Sequence, residues 1–250
     1  GVTPKPDLQR HEPVPAELDY NFWLGPTPEA PYSKRRLPFW WRFILAYGGG
    51  EMTDRGAHVI DLAQLGNGTD DTGPIELKAE GERNSKSIYD TFWKYKFECQ
   101  YANGVKMIGK SGGDRGLKFI GTEGWIFVAV HGCGLSASSE SILKEKIKDN
   151  EIKLGRTDNH QRNFLDAIKS RGTPFASAEV GHRTATLCHL LNIAMLTGKT
   201  LKWDPKKEKV TNCPEADKMV DRPMRKPWHL PAKGLFGSLS WWCGGSGPLI

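Results

Sequence analysis

The run KYKFECQYANGVKMI, residues 94–108, decides the fold class. Tyr95, Phe97 and Cys99 alternate with Lys94, Lys96 and Glu98, the two-residue period of a strand with one wet and one dry face. Ala102-Asn103-Gly104 then supplies a tight reversal, because Asn-Gly tolerates the positive φ angles of a hairpin turn. The stretch predicts two neighbouring antiparallel strands. Working outward, PIELKAE (74–80), LKFIGT (117–122) and GWIFVAV (124–130) are equally short and rich in β-branched and aromatic residues. Gly121-Thr122-Glu123-Gly124 predicts a second tight turn. Residues 74–130 therefore read as an antiparallel meander.

Helical patterns lie on both sides of it. EMTDRGAHVIDLAQL (51–65) carries Met52, Ala57, Val59, Ile60, Leu62, Ala63 and Leu65, a helical and mostly buried pattern, with Gly66 as its expected stop. Residues 158–170 place Phe164, Leu165 and Ile168 on one face, with Thr157 or Asp158 as the cap. Residues 178–197 form the longest helical pattern, closed by Gly198. LPFWWRFILAYGGG (37–50) reads as a short strand or loop entering a helix. Helices flanking a run of adjacent strands predict an α+β fold: an open, mainly antiparallel sheet with helices on one face. The alternating βαβ order of a nucleotide-binding domain is not seen. Residues 1–19 are proline-rich and predict a linker, 20–228 one α+β domain, and 229–250 an atypical tail.

Composition narrows the function classes. A net charge of +6 is diluted by 29 acids, and the densest basic run, Lys199–Lys209, contains Asp204 and Glu208. It reads as a solvated surface loop, and no nucleic-acid motif accompanies it. Five cysteines without a CxxC pair predict reduced thiols, with neither a disulfide framework nor a structural zinc site. No run of about 18 apolar residues is present to span a membrane as a helix. The chain starts at Gly1, so it is expected to be processed or cut from something longer, which leaves localisation open.

The chemistry-bearing stretch is Gly48-Gly49-Gly50 followed by EMTDRGAHVID. On a helix Asp54 and His58 are one turn apart and share a face, with Asp61 a further turn along. A carboxylate beside an imidazole fixes its tautomer and raises its basicity. Bare glycine backbone ahead of them would let a flat ring or a sugar approach closely. The same spacing also suits a surface ion pair, and Asp61 suits a structural hydrogen-bond acceptor. His182 and His189 are better read as helix-surface or core histidines than as metal ligands, and Glu179 with Arg183 as an i,i+4 ion pair. His160 lies at a helix start, where it could reach a sugar hydroxyl or take part in capping. Tyr20, Phe22 and Trp23 could stack on a sugar ring or pack internally. GKSGGDRG (109–116) opens no helix, so it reads as a hairpin loop and not as a dinucleotide fingerprint.

YGGGEMTDRGAHVIDLAQLG resembles a motif of the C-terminal domain of the Gfo/Idh/MocA (glucose–fructose oxidoreductase / inositol dehydrogenase) family, bacterial type. DYNFWLGP, YANGVKMI, FIGTEGWIFV, DNHQRNFLDAIKSR, EVGHRTATLCHLLNIA and LKWDP extend the resemblance over roughly residues 18–228 in the same order. The resemblance implies a two-domain parent in which an N-terminal Rossmann domain, absent here, binds NAD or NADP. It implies that His58 is the acid/base and that Asp54 orients it or binds the sugar. Gly48, Gly49 and Gly50 would line the nicotinamide side. Arg55 stands where relatives commonly carry an aromatic, a departure expected to alter the sugar pocket; Arg55, His160, Tyr20 and Trp23 are the expected substrate contacts. The implied partners are a carbohydrate or polyol, the parent's cofactor domain, and a second copy through the open sheet. The isolated chain is expected to be inactive. A non-catalytic sugar-binding or oligomerisation module, and a parent that cleaves or epimerises glycosides through transient oxidation, are the rival readings.

Overall fold

The computed structural model describes residues 11–113, 115–130 and 134–230. Expectations for residues 1–10 and for most of the 229–250 tail lie outside them. The predicted hairpin is the centre of the main sheet. Strand β1 (Glu76–Glu82) pairs antiparallel with β2 (Lys94–Gln100), placing Leu77 opposite Cys99 and Ala79 opposite Phe97. β2 pairs antiparallel with β3 (Lys106–Lys110) through the Asn-Gly turn, where Gly104 has φ +89° and Asn103 Oδ1 accepts from the Val105 amide.

The meander expected over 74–130 is two sheets. β4 (Gly116–Ile120), β5 (Trp125–Ala129) and β6 (Leu135–Ala137) form a separate three-stranded antiparallel sheet. Its β4–β5 turn is the expected one, closed by the Gly121 amide donating to the Gly124 carbonyl at 2.8 Å. The expected hairpin loop at 109–116, of which residue 114 lies outside the described residues, is not one, because β3 and β4 on its two sides belong to different sheets. The basic run at 199–209 also departs from expectation. It contributes β7 (Leu201–Asp204), a turn, and the start of β8 (Lys209–Val210), extending the main sheet to the order β3-β2-β1-β7-β8. Leu201 and Trp203 are buried there, so apolar alternation outweighs the charges around them.

Among the described residues five α-helices accompany the core helix. They are α1 (Tyr20–Leu24), α2 (Arg55–Asn67), α3 (Glu140–Lys144), α4 (His160–Ser170) and α6 (Pro214–Asp217). Of these, α2 adds Ile60 to the core. The sixth, α5 (Ala178–Thr197), is the core element. Its Leu187, Cys188, Leu190, Leu191 and Ala194 are buried with Leu77, Cys99, Leu201 and Trp203 of the sheet. α2 lies against α5, and α5 covers one face of the sheet only. The other face carries a charge ladder, with Lys78–Glu98 at 3.1 Å, Lys94–Glu82 at 2.7 Å, and Lys96 on Glu80. This is the expected α+β architecture.

Helix ends depart from expectation in two places. α2 runs past Gly66 to Asn67, and Gly68 at φ +65° is the left-handed cap. Gly66 is glycine for another reason: a Cβ there would stand 2.3 Å from the Phe119 ring of β4. α4 is capped by Asn159, whose side chain accepts from the Arg162 amide, and not by Thr157 or Asp158. Cys99, Cys188 and Cys213 are free and buried.

Candidate functional site

The turn into α2 is held by close packing around three glycines. A Cβ on Gly48 would meet the Arg42 carbonyl oxygen at 2.8 Å. One on Gly49 would meet Thr53 Cγ2 at 2.3 Å, and one on Gly50, at φ +67°, would meet Thr91 at 2.6 Å. The Gly49 amide donates to Thr53 Oγ1, and its carbonyl accepts from Asn192 of α5. The space on the Cβ side of each glycine is thus filled by protein. What the bare backbone allows here is a turn compact enough to seat α2 on α5.

Asp54 occupies the N-cap position of α2 without making a side-chain cap bond. Its carboxylate faces Arg42, with Nε 3.2 Å from Oδ2. That nitrogen is out of line for a hydrogen bond, so the contact is ionic. The Arg42 guanidinium in turn lies 3.6 Å from the Phe39 ring centroid. Arg55 reaches back to Glu51 at 3.7 Å. His58 stands exposed one turn beyond Asp54. Asp61 faces inward, accepting from Thr184 Oγ1 at 3.0 Å, the structural role expected of it.

The remaining expected contacts lie in other packing groups. Tyr20 stacks on Trp23 at 5.7 Å and meets Tyr32 edge-on, while Trp23 meets Tyr47. The buried Arg36 donates to Tyr47 Oη at 3.0 Å. Burial pushes the Tyr20 hydroxyl up to about 12, aided by Tyr47 and opposed by Arg36. His160 packs edge-on against Phe175 at 6.1 Å. On α5, Arg183 pairs with Glu179 at 2.7 Å as expected, and His182 Nε2 lies 2.5 Å from Glu208 Oε1. Among the described residues no cluster of three His, Cys, Asp or Glu side chains could hold a metal.

A cleft of about 800 Å³ opens beside the same turn, lined by Glu51, Glu82, Arg83, Asn84, Tyr89 and Trp93. Sequence reasoning did not select these residues. The one signal available was the polar segment GERNSKSIYD (81–90) running into the aromatic pair at Phe92 and Trp93.

A family model described as "Oxidoreductase family, C-terminal alpha/beta domain" (Gfo/Idh/MocA) matches residues 4–230. The chain belongs to this family. Among solved structures, it is similar to an NAD-binding protein from Listeria innocua, with 15% identity over 66% of this chain and 55% of that one, at TM-score 0.48. It is also similar to an aldose–aldose oxidoreductase from Caulobacter crescentus complexed with glycerol (15% identity, 66% and 51% covered, TM-score 0.47). A third is a UDP-N-acetylglucosamine 3-dehydrogenase from Acidithiobacillus ferrooxidans (16% identity, 67% and 51% covered, TM-score 0.44). The chain spans about half the length of these structures. No curated protein matches the sequence. The part of the family that this family model describes is its C-terminal domain.

Proposed function

We propose that this domain is the substrate-binding half of an NAD(P)-dependent oxidoreductase acting on a hydroxyl-bearing carbon of a sugar, polyol or glycoside. The observation that carries the reading is His58, exposed at the start of α2 one turn beyond Asp54, in a chain of an oxidoreductase family.

The described strands pair antiparallel throughout, so they build no βα phosphate cradle for a dinucleotide. NAD or NADP would then be held mainly by an N-terminal domain of the parent, and the Gly48–Gly50 turn, although packed on its Cβ side, is the proposed approach for the nicotinamide beside the exposed His58. What the cofactor supplies is a hydride acceptor. His58 takes the hydroxyl proton at a ring nitrogen as the carbon–hydrogen electron pair departs, leaving a carbonyl. Asp54 orients His58 or binds a neighbouring hydroxyl. Arg55, His160, Tyr20 and Trp23 are the proposed substrate contacts, and Arg55 shares the α2 turn with His58. The charged outer face of the main sheet is the proposed surface for a second copy.

In the full-length parent, His58→Asn is expected to lower turnover by about 10²- to 10⁴-fold. The melting temperature should stay put, because the side chain is exposed. Wild-type turnover in that variant removes His58 from the mechanism. This chain alone is expected to bind NAD(P) poorly in a calorimetric titration; tight binding would refute the domain assignment. For the rival reading of a non-catalytic assembly module, light scattering decides: a clean monomer counts against assembly through the sheet.

A further inference from the structure

We propose that the apolar face of α4, together with the run of chain just before it, is an interface covered by a second copy of this chain. Residues 134–177 contain no buried side chain. Yet α4 is amphipathic. At about 100° per residue, Phe164, Leu165 and Ile168 fall on one stripe, while Arg162, Asp166 and Lys169 fall on the other side. A helix of 11 residues is marginal in water unless one face is covered. Nothing in its own copy buries that stripe.

The patch is complementary to itself. Each copy carries two uncovered apolar strips. One is the α4 stripe, extended by Phe175, whose ring meets His160 edge-on and whose amide donates to Asn163 Oδ1 at 2.7 Å. The other is Ile152 and Leu154, 89% and 59% exposed. The strips are neighbours, since a Cβ on Gly155 would stand 2.8 Å from the Phe175 ring. In a two-fold pair, residue i meets residue j and j meets i. The stripe of one copy then lies on the Ile152–Leu154 run of the other, and the reverse contact follows by symmetry. All four strips are covered at once.

Area and charge point to the same occupant. Covering these six side chains removes roughly 600 Å² of apolar surface from each copy, the apolar part of the ~800 Å² that each partner gives to a standard-size interface. Lys153 pairs with Asp149 at 2.6 Å, Arg156 with Asp158 at 3.0 Å, and Arg162 with Asp166 at 3.1 Å. Such compensated pairs offer little to a nucleic acid or an acidic protein, and they do not repel a like copy. The outer face of the main sheet is a different surface, a ladder of lysine–glutamate pairs. The two contacts are therefore separate, and this one does not depend on the function proposed above.

The test is the mass of this chain by light scattering behind a sizing column. An interface of this size reaches a Kd of about 10 µM, so copies associate at about 100 µM and separate below about 1 µM, where α4 adds nothing to the fold. Phe164→Asp with Ile168→Asp should halve the mass seen at the higher concentration. Ile152→Asp with Leu154→Asp should halve it too, and these two lie outside any helix, so loss of α4 itself cannot account for the result. Lys96→Glu, on the charged sheet face, should leave both halvings in place. A wild-type monomer at about 100 µM, ten times the expected Kd, overturns the proposal. So does either pair of substitutions that leaves the mass unchanged, because the reciprocal contact needs both strips. No turnover is read, so this result and that of His58 in the parent stand or fall separately.

Discussion

The side-chain amide of Asn192 donates to the Gly49 carbonyl across 3.0 Å, tying the core helix α5 to the turn that opens α2. The same nitrogen would lie 2.8 Å from a Cβ on Gly49, and Thr53 Cγ2 would lie 2.3 Å away. Gly49→Ala is therefore expected to destabilise the domain by about 2–3 kcal/mol through overpacking. Gly68→Ala sits at φ +65° with open space around it, so it should cost only about 1 kcal/mol of backbone strain. Urea denaturation of the two variants checks the contrast. Equal losses would mean that Thr53 and Asn192 give way and overpacking adds little at Gly49, whose φ of −113° carries no strain.

A second contrast concerns α4. Its Phe164, Leu165 and Ile168 are 58%, 47% and 48% exposed, and none of its residues is buried. Leu191 of α5 is fully buried. Leu191→Ala should cost about 2–5 kcal/mol, the range for emptying a core leucine. Phe164→Ala should stay within about 0.5 kcal/mol in this chain. Thermal or urea unfolding distinguishes them, and a Phe164 effect as large as that of Leu191 would show that α4 contributes to the core after all.

The difference between these helices also shows how far the sequence could be read. The alternation of Tyr95, Phe97 and Cys99 with charged neighbours fixed the central strands, because each strand face repeats its own environment every second residue. Helix α5 was equally legible between its apolar pattern and Gly198. Where two glycines lay close together, local signals failed. Gly66 looked like the end of α2, but it is the residue that lets Phe119 of the second sheet approach, a tertiary contact invisible along the chain. Leu201 and Trp203 were hidden among lysines, although they complete the main sheet. Asp54 and His58 are proposed from spacing and resemblance. The Arg42 partner of Asp54 was not, since it comes from the preceding aromatic turn. The cleft draws on the α2 turn, the segment from Gly81 to Trp93 and the end of α5, so no local pattern announced it.

Burial also predicts a pH dependence. Desolvation pushes the Cys99 and Cys188 thiols up to about 12, and that of Cys99 is raised further by Cys188. A thiol held neutral in the fold but free to ionise when unfolded contributes stability that is complete below pH 9. That contribution is lost as the pH rises from 9 toward 12. Stability should accordingly fall above pH 9 by about 1 kcal/mol per thiol per pH unit. Tyr95, pushed to about 12 chiefly by burial, adds to the loss above pH 10. Urea midpoints measured from pH 7 to 11 check this, and a flat profile would contradict it. The same burial predicts that iodoacetamide at pH 8 leaves Cys99 and Cys188 unlabelled in the native chain and labels both in denaturant.

The Arg42–Asp54 pair tests whether the acid at the α2 turn is aimed or merely accommodated. Both side chains are partly exposed, so the pair itself should contribute no more than about 1 kcal/mol to stability. Its larger effect is expected on orientation: Asp54 makes no cap bond to its own helix, and Arg42, packed on Phe39, holds its carboxylate. In the full-length parent, Arg42→Met should leave the melting temperature nearly unchanged and lower kcat by about tenfold, the scale of a modest loss of positioning. Arg42→Lys should recover part of that loss, since a charge is restored without the planar stack on Phe39. Asp54→Asn should lower kcat further than either, because it removes the carboxylate and not just its support. If Arg42→Met turns over like the wild type while Asp54→Asn does not, Asp54 acts without help from Arg42, and the ionic contact is only a surface pair.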